Sequence, residues 1–92
     1  MATRLTVRFK EYGGHYDKWL FHECLRMGIK GTVRDRYAVN QTVEAVIVGS
    51  FQHVDDVVAV ARKGPSNCVV EGVGIDPCSD PLVTGMLLLP KG

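Results

Sequence analysis

The 92-residue sequence predicts an α+β fold in which two helices cover one face of a four-stranded antiparallel sheet. Apolar and polar residues alternate near the start of the chain, which predicts a half-buried strand. Two amphipathic segments, at residues 17–27 and 51–63, are each followed by glycine and predict helices. Strand-like segments lie between and after them, so the predicted order is β-α-β-β-α-β. Each βαβ unit is expected to cross over right-handedly.

Residue spacing defines the first strand and the first helix. Residues 5–10 alternate between apolar and polar and form the strand, and residues 11–15, which include two glycines, are predicted to form a loop. Leu20, Cys24 and Met27 recur at i, i+4 and i+7. They therefore predict the core face of a helix that ends at the following glycine.

The second half of the chain completes the predicted fold. Ser50 is the predicted N-cap of the second helix, and Gly64 ends that helix. The other strands are predicted from their β-branched and apolar residues at positions 32–37, 43–48, 68–75 and, as an edge strand, within 82–89. The chain is thus predicted to be one ferredoxin-like βαββαβ domain, residues 1–92, with residues 76–92 forming a loop plus edge strand or a tail.

Charge is unevenly distributed along the sequence, although the net charge is only +1. Residues 1–36 carry eight Lys and Arg against four Asp and Glu, whereas residues 37–92 carry three against six. A basic half of this kind is typical of a surface that meets a polar partner such as nucleic acid. A solvated surface of uneven charge is the alternative interpretation.

The three cysteines, Cys24, Cys68 and Cys78, are an odd number without a paired short spacing. This pattern argues against a disulfide framework and favours a reducing, cytoplasmic location. The sequence contains no apolar run long enough to span a membrane and no signal-peptide pattern. His22 and Cys24 are two residues apart on a helix and so point to different faces, and no metal-ligand spacing is recognisable. We therefore expect no metal and no cofactor.

Three segments of the sequence, at residues 28–35, 43–46 and 61–65, resemble the acylphosphatase family. Members of that family typically read Leu-Gly-Leu, then Gly-Trp-Val-Arg-Asn, a strand, a second helix and Gly-Pro. The resemblance spans residues 5–75 and implies the same ferredoxin-like fold.

The resemblance also implies a phosphate site in the loop before the first helix. In the family this loop reads Val-Gln-Gly-Val-x-Phe-Arg; its Arg binds the substrate phosphate, and an Asn at the end of the next strand orients the attacking water. In this sequence Asp17 stands at the Arg position, or Lys18 if the helix has lost one residue. Asp35 stands at the Asn position, and Thr32 replaces the Trp.

Two interpretations of the site follow from these replacements. The leading prediction is that the protein has no catalytic residues and works by binding. The alternative is a weak acylphosphatase that uses Lys18 and Asp35. In the alternative, an anion would be held by Gly13, Gly14, His15 and Lys18, because backbone N–H groups at a helix N-terminus attract phosphate.

The predicted binding surface is basic. Residues 18, 22, 26 and 30 follow one another at four-residue steps on one helix face, and further bases share one side of each of the first two strands. We expect these side chains to contact RNA phosphates or acidic groups of a protein or ribonucleoprotein partner. The candidate partner-binding residues are Lys18, His22, Arg26, Lys30, Arg34, Arg36, Arg4, Arg8 and Lys10.

As a whole, the short chain with its basic first half also resembles some phage-encoded anti-CRISPR proteins. Those are small, mostly non-enzymatic proteins that dock on an RNA-loaded surveillance complex, and the resemblance implies an inhibitor of such a complex. A third interpretation is a structural or assembly module that uses the valine-rich second helix or the edge at residues 87–89.

Overall fold

The computed structural model describes residues 2–92. Five strands and three helices alternate along the chain. They are β1 (Ala2–Tyr12), α1 (Tyr16–Arg26), β2 (Lys30–Arg36), α2 (Tyr37–Asn40), β3 (Thr42–Val48), α3 (Phe51–Lys63), β4 (Cys68–Cys78) and β5 (Met86–Leu88).

The strands form one sheet in the order β4-β1-β3-β2-β5. The first four strands are antiparallel to their neighbours, with Leu5 opposite Ala45 on one side and Ile75 on the other. The edge strand β5 runs parallel to β2, so the complete sheet is mixed. The ferredoxin-like prediction is confirmed, and so is the additional C-terminal edge strand.

The core lies between the sheet and the two long helices. Leu5 and Val7 of β1, Leu20 and Cys24 of α1, and Val57 of α3 are completely buried there. Met27, predicted to complete the α1 core face, is only partly buried against this cluster. Tyr16, the first residue of α1, is also completely buried. Its ring meets that of Phe9 in β1 edge-on with centroids 4.8 Å apart, so the N-terminal end of α1 packs next to the end of β1.

Two strands are longer than predicted. β1 continues to Tyr12, which pairs with Cys68 of β4. The pairing of the two strands shifts register twice, between Arg8 and Glu11, but is not interrupted there. The loop before α1 is consequently only residues 13–15, not 11–15. β4 continues to Cys78, and Pro77 is tolerated because β4 is at the edge of the sheet.

Local signals define the ends of α3 as predicted. Ser50 Oγ accepts a hydrogen bond from the His53 backbone N–H at 3.3 Å, and Gly64 ends the helix with a φ of 66°. The segment between β2 and β3 contains the single helical turn α2. It ends at Gln41, which has a φ of 61°.

Candidate active site

The loop between β1 and α1 is held tightly by the turn before β4. Asn67 Nδ2 donates a hydrogen bond to the Gly14 carbonyl oxygen at 3.1 Å. A Cβ atom at Gly13 would lie closer than van der Waals contact to the Asn67 carbonyl oxygen. Gly14 and His15 have φ values of 90° and 60°, so the chain turns through two left-handed residues before the helix begins. Only glycine fits this packing at position 13.

The N-terminus of α1 is open. The His15 side chain makes no capping hydrogen bond, and the N–H groups of a helix's first turn have no intrahelical acceptor. These N–H groups carry the positive end of the helix dipole, which attracts anions. Asp17, only 4% exposed, lies in this first turn. Its carboxylate interacts favourably with the dipole and would repel a second anion.

The carboxylate of Asp35, at the end of β2, is bound on both oxygens. Tyr12 Oη donates to Oδ2 at 2.8 Å, and the Tyr37 backbone N–H donates to Oδ1 at 2.8 Å. The side chain is only 7% exposed. Because each carboxylate oxygen has a further lone pair, Asp35 retains the capacity to accept a proton or another hydrogen bond.

Aromatic rings surround this carboxylate. Tyr12 and Tyr37 are stacked with ring centroids 4.0 Å apart, and Phe9 meets Tyr12 edge-on at 4.9 Å. Burial, together with the hydrogen bond to Asp35, raises the pKa of Tyr12, and the nearby Asp17 carboxylate acts in the same direction. Tyr12 therefore remains a protonated donor to Asp35 at neutral pH.

A cavity of about 180 Å³ opens beside Asp35. Its lining consists of Tyr12, Asp35, Tyr37, Ala38, Lys91 and Gly92. Since Tyr12 immediately precedes Gly13, the cavity adjoins the loop at the start of α1. Tyr12 therefore links the cavity to the loop, and together they form the candidate site.

The structure brings the residues of the alternative interpretation together. Gly13, Gly14, His15 and Lys18 all lie in the loop or the first turn of α1, with His15 and Lys18 exposed. Asp35 is connected to this loop by the hydrogen bond that it accepts from Tyr12, the residue before Gly13. An anion-binding role for these residues stays a prediction at this point.

The predicted partner-binding residues lie on two separate surfaces. The predicted residues on α1 are exposed, and so is Lys30 at the start of β2. Arg26 forms an ion pair with Glu23 at 2.8 Å. On the strands, acidic residues approach two of the bases: Arg8 lies 4.0 Å from Glu71, and Arg36 lies 4.0 Å from Glu44. The first group comprises Lys18, His22, Arg26 and Lys30, and the second comprises Arg4, Arg8, Lys10, Arg34 and Arg36.

Sequence reasoning missed Tyr12, Tyr37 and Lys91. Tyr12 was assigned to a loop because glycines follow it, and its partner Asp35 belongs to a strand that is not its neighbour in the sheet. Lys91 follows β5, and no motif or spacing in the neighbouring sequence indicates a functional role for it. Only the tertiary structure brings these three side chains to one cavity.

Residues 2–92 lack two further features, a metal-binding cluster and a membrane-spanning helix. Within that range, no group of three or more His, Cys, Asp and Glu side chains is arranged to hold a metal ion. In the same range, the helices lack the combination of length and apolar character required to cross a membrane.

The acylphosphatase family model matches residues 12–84, which include the loop, α1 and the end of β2. The chain therefore belongs to the acylphosphatase family. A curated acylphosphatase of Albidiferax ferrireducens is 42% identical over 74 residues, covering 80% of this chain and 78% of that protein. One from Bradyrhizobium diazoefficiens is 33% identical over 70 residues, covering 76% and 69% respectively.

The fold agrees with this assignment. The crystal structure of acylphosphatase from Bacillus subtilis superposes with a TM-score of 0.81 over 96% of this chain and 97% of that one, at 16% identity. The resemblance to the family on which the sequence interpretation rested is confirmed.

The leading functional prediction is wrong. It described a non-catalytic binding protein and, in its most specific form, a phage anti-CRISPR inhibitor, but the matching relatives are acylphosphatases. Replacement of the Arg and Asn is not sufficient evidence for loss of activity, because the family comparisons favour the alternative interpretation, a weak acylphosphatase. Whether the protein is an enzyme was left open, and the relatives support the hydrolase that the alternative interpretation named. The partner contacts assigned to the basic residues stay predictions.

Proposed function

We propose that this protein hydrolyses acyl phosphates. The observation that carries the proposal is the match to curated acylphosphatases, of which one is 42% identical over 80% of this chain. The open N-terminus of α1, next to a buried carboxylate at the end of β2, supports the same chemistry.

In this proposal, backbone N–H groups of the loop and of the first turn of α1 bind the phosphoryl group. Their positions are set before substrate arrives, because Asn67 holds the loop and Gly13 packs against it. Preorganised donors of this kind stabilise developing negative charge without having to reorient during the reaction. Lys18, exposed in the first turn, supplies a positive charge for the phosphoryl oxygens.

Asp35 acts on the attacking water in this proposal. A lone pair of its carboxylate accepts a proton from the water as the water oxygen forms a bond to phosphorus. The bond between phosphorus and the acyl oxygen breaks, and the acyl group leaves as a carboxylate that needs no proton. Tyr12 and Tyr37 hold Asp35 in place through their two hydrogen bonds.

Two acidic residues make the proposed reaction slow. Asp17, or Lys18 if the helix has lost one residue, stands where the family resemblance implies Arg, and Asp35 stands where it implies Asn. In either case two carboxylates, Asp17 and Asp35, lie near the proposed position of the phosphoryl group. We therefore expect weaker substrate binding and slower turnover than in a site that retains Arg and Asn.

Hydrolysis of benzoyl phosphate, followed by its ultraviolet absorbance, tests the proposal. We expect turnover above spontaneous hydrolysis, and Lys18→Ala should lower kcat/KM about tenfold because a charge-assisted contact is lost. Lys63→Ala, which removes another exposed lysine in the last turn of α3, is the matched control and should have no such effect. Turnover indistinguishable from buffer in the unmodified protein would show that the proposal is wrong.

A cytoplasmic location belongs to the same proposal. Cys24, Cys68 and Cys78 are all free thiols, which suits a reducing compartment.

A further inference from the structure

The cavity beside Asp35 contains a cation that the site described so far does not use. Among its six lining residues, all within the described residues 2–92, Lys91 carries the only positive charge and Asp35 the only side-chain negative charge. The two face a space of about 180 Å³, which is large enough for a phosphate ion and several waters.

The backbone around Lys91 is held at the edge of the sheet. The Leu89 N–H donates to the Val33 carbonyl oxygen at 2.8 Å, and the Gly92 N–H donates to the Asp35 carbonyl oxygen at 3.1 Å. Lys91 lies between these two bonds, so its Cα position is fixed relative to β2. Its exposed side chain can move within the cavity, while its point of attachment stays beside Asp35.

The charge balance of the site gives Lys91 a function. An acyl phosphate entering next to Asp35 and Asp17 meets two carboxylates, and both are buried, which strengthens their repulsion. Lys18 lies on the α1 side of the site, whereas Lys91 lies on the β2 side. With a cation on each side, the phosphoryl oxygens could form charge-assisted hydrogen bonds with both Lys18 and Lys91.

We propose that Lys91 is a substrate-binding residue that contacts the phosphoryl oxygens from the cavity side and offsets the charge of Asp35. The inference rests on the proposed function for the identity of the substrate. Binding of inorganic phosphate, the product, tests it separately from turnover.

The first measurement is a titration of isotope-labelled protein with inorganic phosphate, followed by the amide chemical shifts of Tyr37, Ala38 and Gly92. We expect those amides to shift, and Lys91→Ala should weaken phosphate binding about tenfold. Lys91→Arg should retain most of the affinity because it keeps the charge. Lys63→Ala, outside the cavity lining, should match the unmodified protein.

The second measurement separates binding from chemistry. Lys91→Ala should raise KM for benzoyl phosphate about tenfold and change kcat little, because a contact made in both the bound substrate and the transition state affects binding alone.

The outcomes distinguish the two proposals. Unchanged phosphate affinity in Lys91→Ala, or shifts confined to residues 13–18, would overturn the role of Lys91. Phosphate binding that depends on Lys91, in a protein that does not turn over benzoyl phosphate, would uphold the anion site and overturn the proposed hydrolysis.

Discussion

Tyr12 donates its phenolic hydroxyl to Asp35 at 2.8 Å, joining the ends of β1 and β2 although β3 lies between these strands in the sheet. The bond is possible because β1 extends four residues beyond its last pairing with β3, and Tyr12 is the last of these. The same tyrosine leads into the loop at Gly13. It therefore couples the position of the loop to that of the carboxylate.

Tyr12→Phe should destabilise the fold by about 1–3 kcal/mol, because Asp35 Oδ2 loses its donor while the carboxylate stays buried. Urea unfolding followed by circular dichroism measures the change. Tyr37→Phe is the matched control, since that ring keeps its stacking on Tyr12 and its hydroxyl makes no hydrogen bond in the part of the chain that the structure describes. Equal losses in the two variants would show that the Tyr12 hydroxyl has no special role.

Gly13→Ala should destabilise the protein by roughly 1–3 kcal/mol, because the new methyl group would clash with the Asn67 backbone and force the loop to move. It should also weaken phosphate binding, since the loop N–H groups would shift. Gly85→Ala, at a position where a Cβ meets no atom within 4 Å, should be close to neutral. Both variants can be compared by thermal unfolding and phosphate titration, and a stable, phosphate-binding Gly13→Ala would contradict the tight packing.

Asp17→Asn should tighten inorganic phosphate binding several-fold, because it removes a buried negative charge from the first turn of α1 and changes little in shape. The substitution also loses a favourable interaction with the helix dipole, about 0.3–1 kcal/mol of stability. Competitive inhibition of benzoyl phosphate hydrolysis by phosphate measures the affinity. Asp55→Asn on the exposed face of α3 is the control, and weaker inhibition in Asp17→Asn would place the anion elsewhere.

Thiol reactivity should distinguish Cys78 from the other two cysteines. Cys24 and Cys68 are buried, whereas Cys78 is partly exposed. Burial raises the pKa of Cys24 from 9.0 to about 12, so its thiol stays protonated and unreactive in the folded protein. Ellman's reagent should label one thiol in the native state and three in urea; rapid labelling of all three without denaturant would contradict this burial.

The raised pKa of Cys24 also has a consequence for stability. Above pH 9 the unfolded thiol ionises while the folded one does not, so its contribution to stability is present below pH 9 and declines as the pH rises towards about 12. Cys24→Ala should flatten the fall in unfolding free energy over this range. An identical pH profile in the variant would assign the fall to other groups.

The fold could be predicted because its signals are local. Alternation in β1, the Leu20–Cys24 spacing in α1 and the Ser50 cap of α3 each involve residues within a few positions of one another, and all agree with one topology. The limits of β1 and β4 were less predictable, because pairing between strands extends both of them past glycine and proline residues that usually mark loops.

The site was only partly predictable for a related reason. Gly13, Gly14 and Lys18 are close in sequence, so their shared position at the start of α1 could be inferred. The sequence also shows acidic residues at positions 17 and 35. The prediction that these residues make the protein non-catalytic was wrong, because the matching relatives are acylphosphatases.

The sequence by itself determined the order of elements, the buried positions of Leu20 and Cys24 in α1 and the acidic residues at two positions of the site. The tertiary structure alone decided that Tyr12 binds Asp35 and that Lys91 shares a cavity with them. The physical reason is separation along the chain: Tyr12 and Asp35 are 23 positions apart, and Lys91 comes still later. Periodicity and capping act over one or two turns of chain, whereas these contacts depend on the order of strands in the finished sheet.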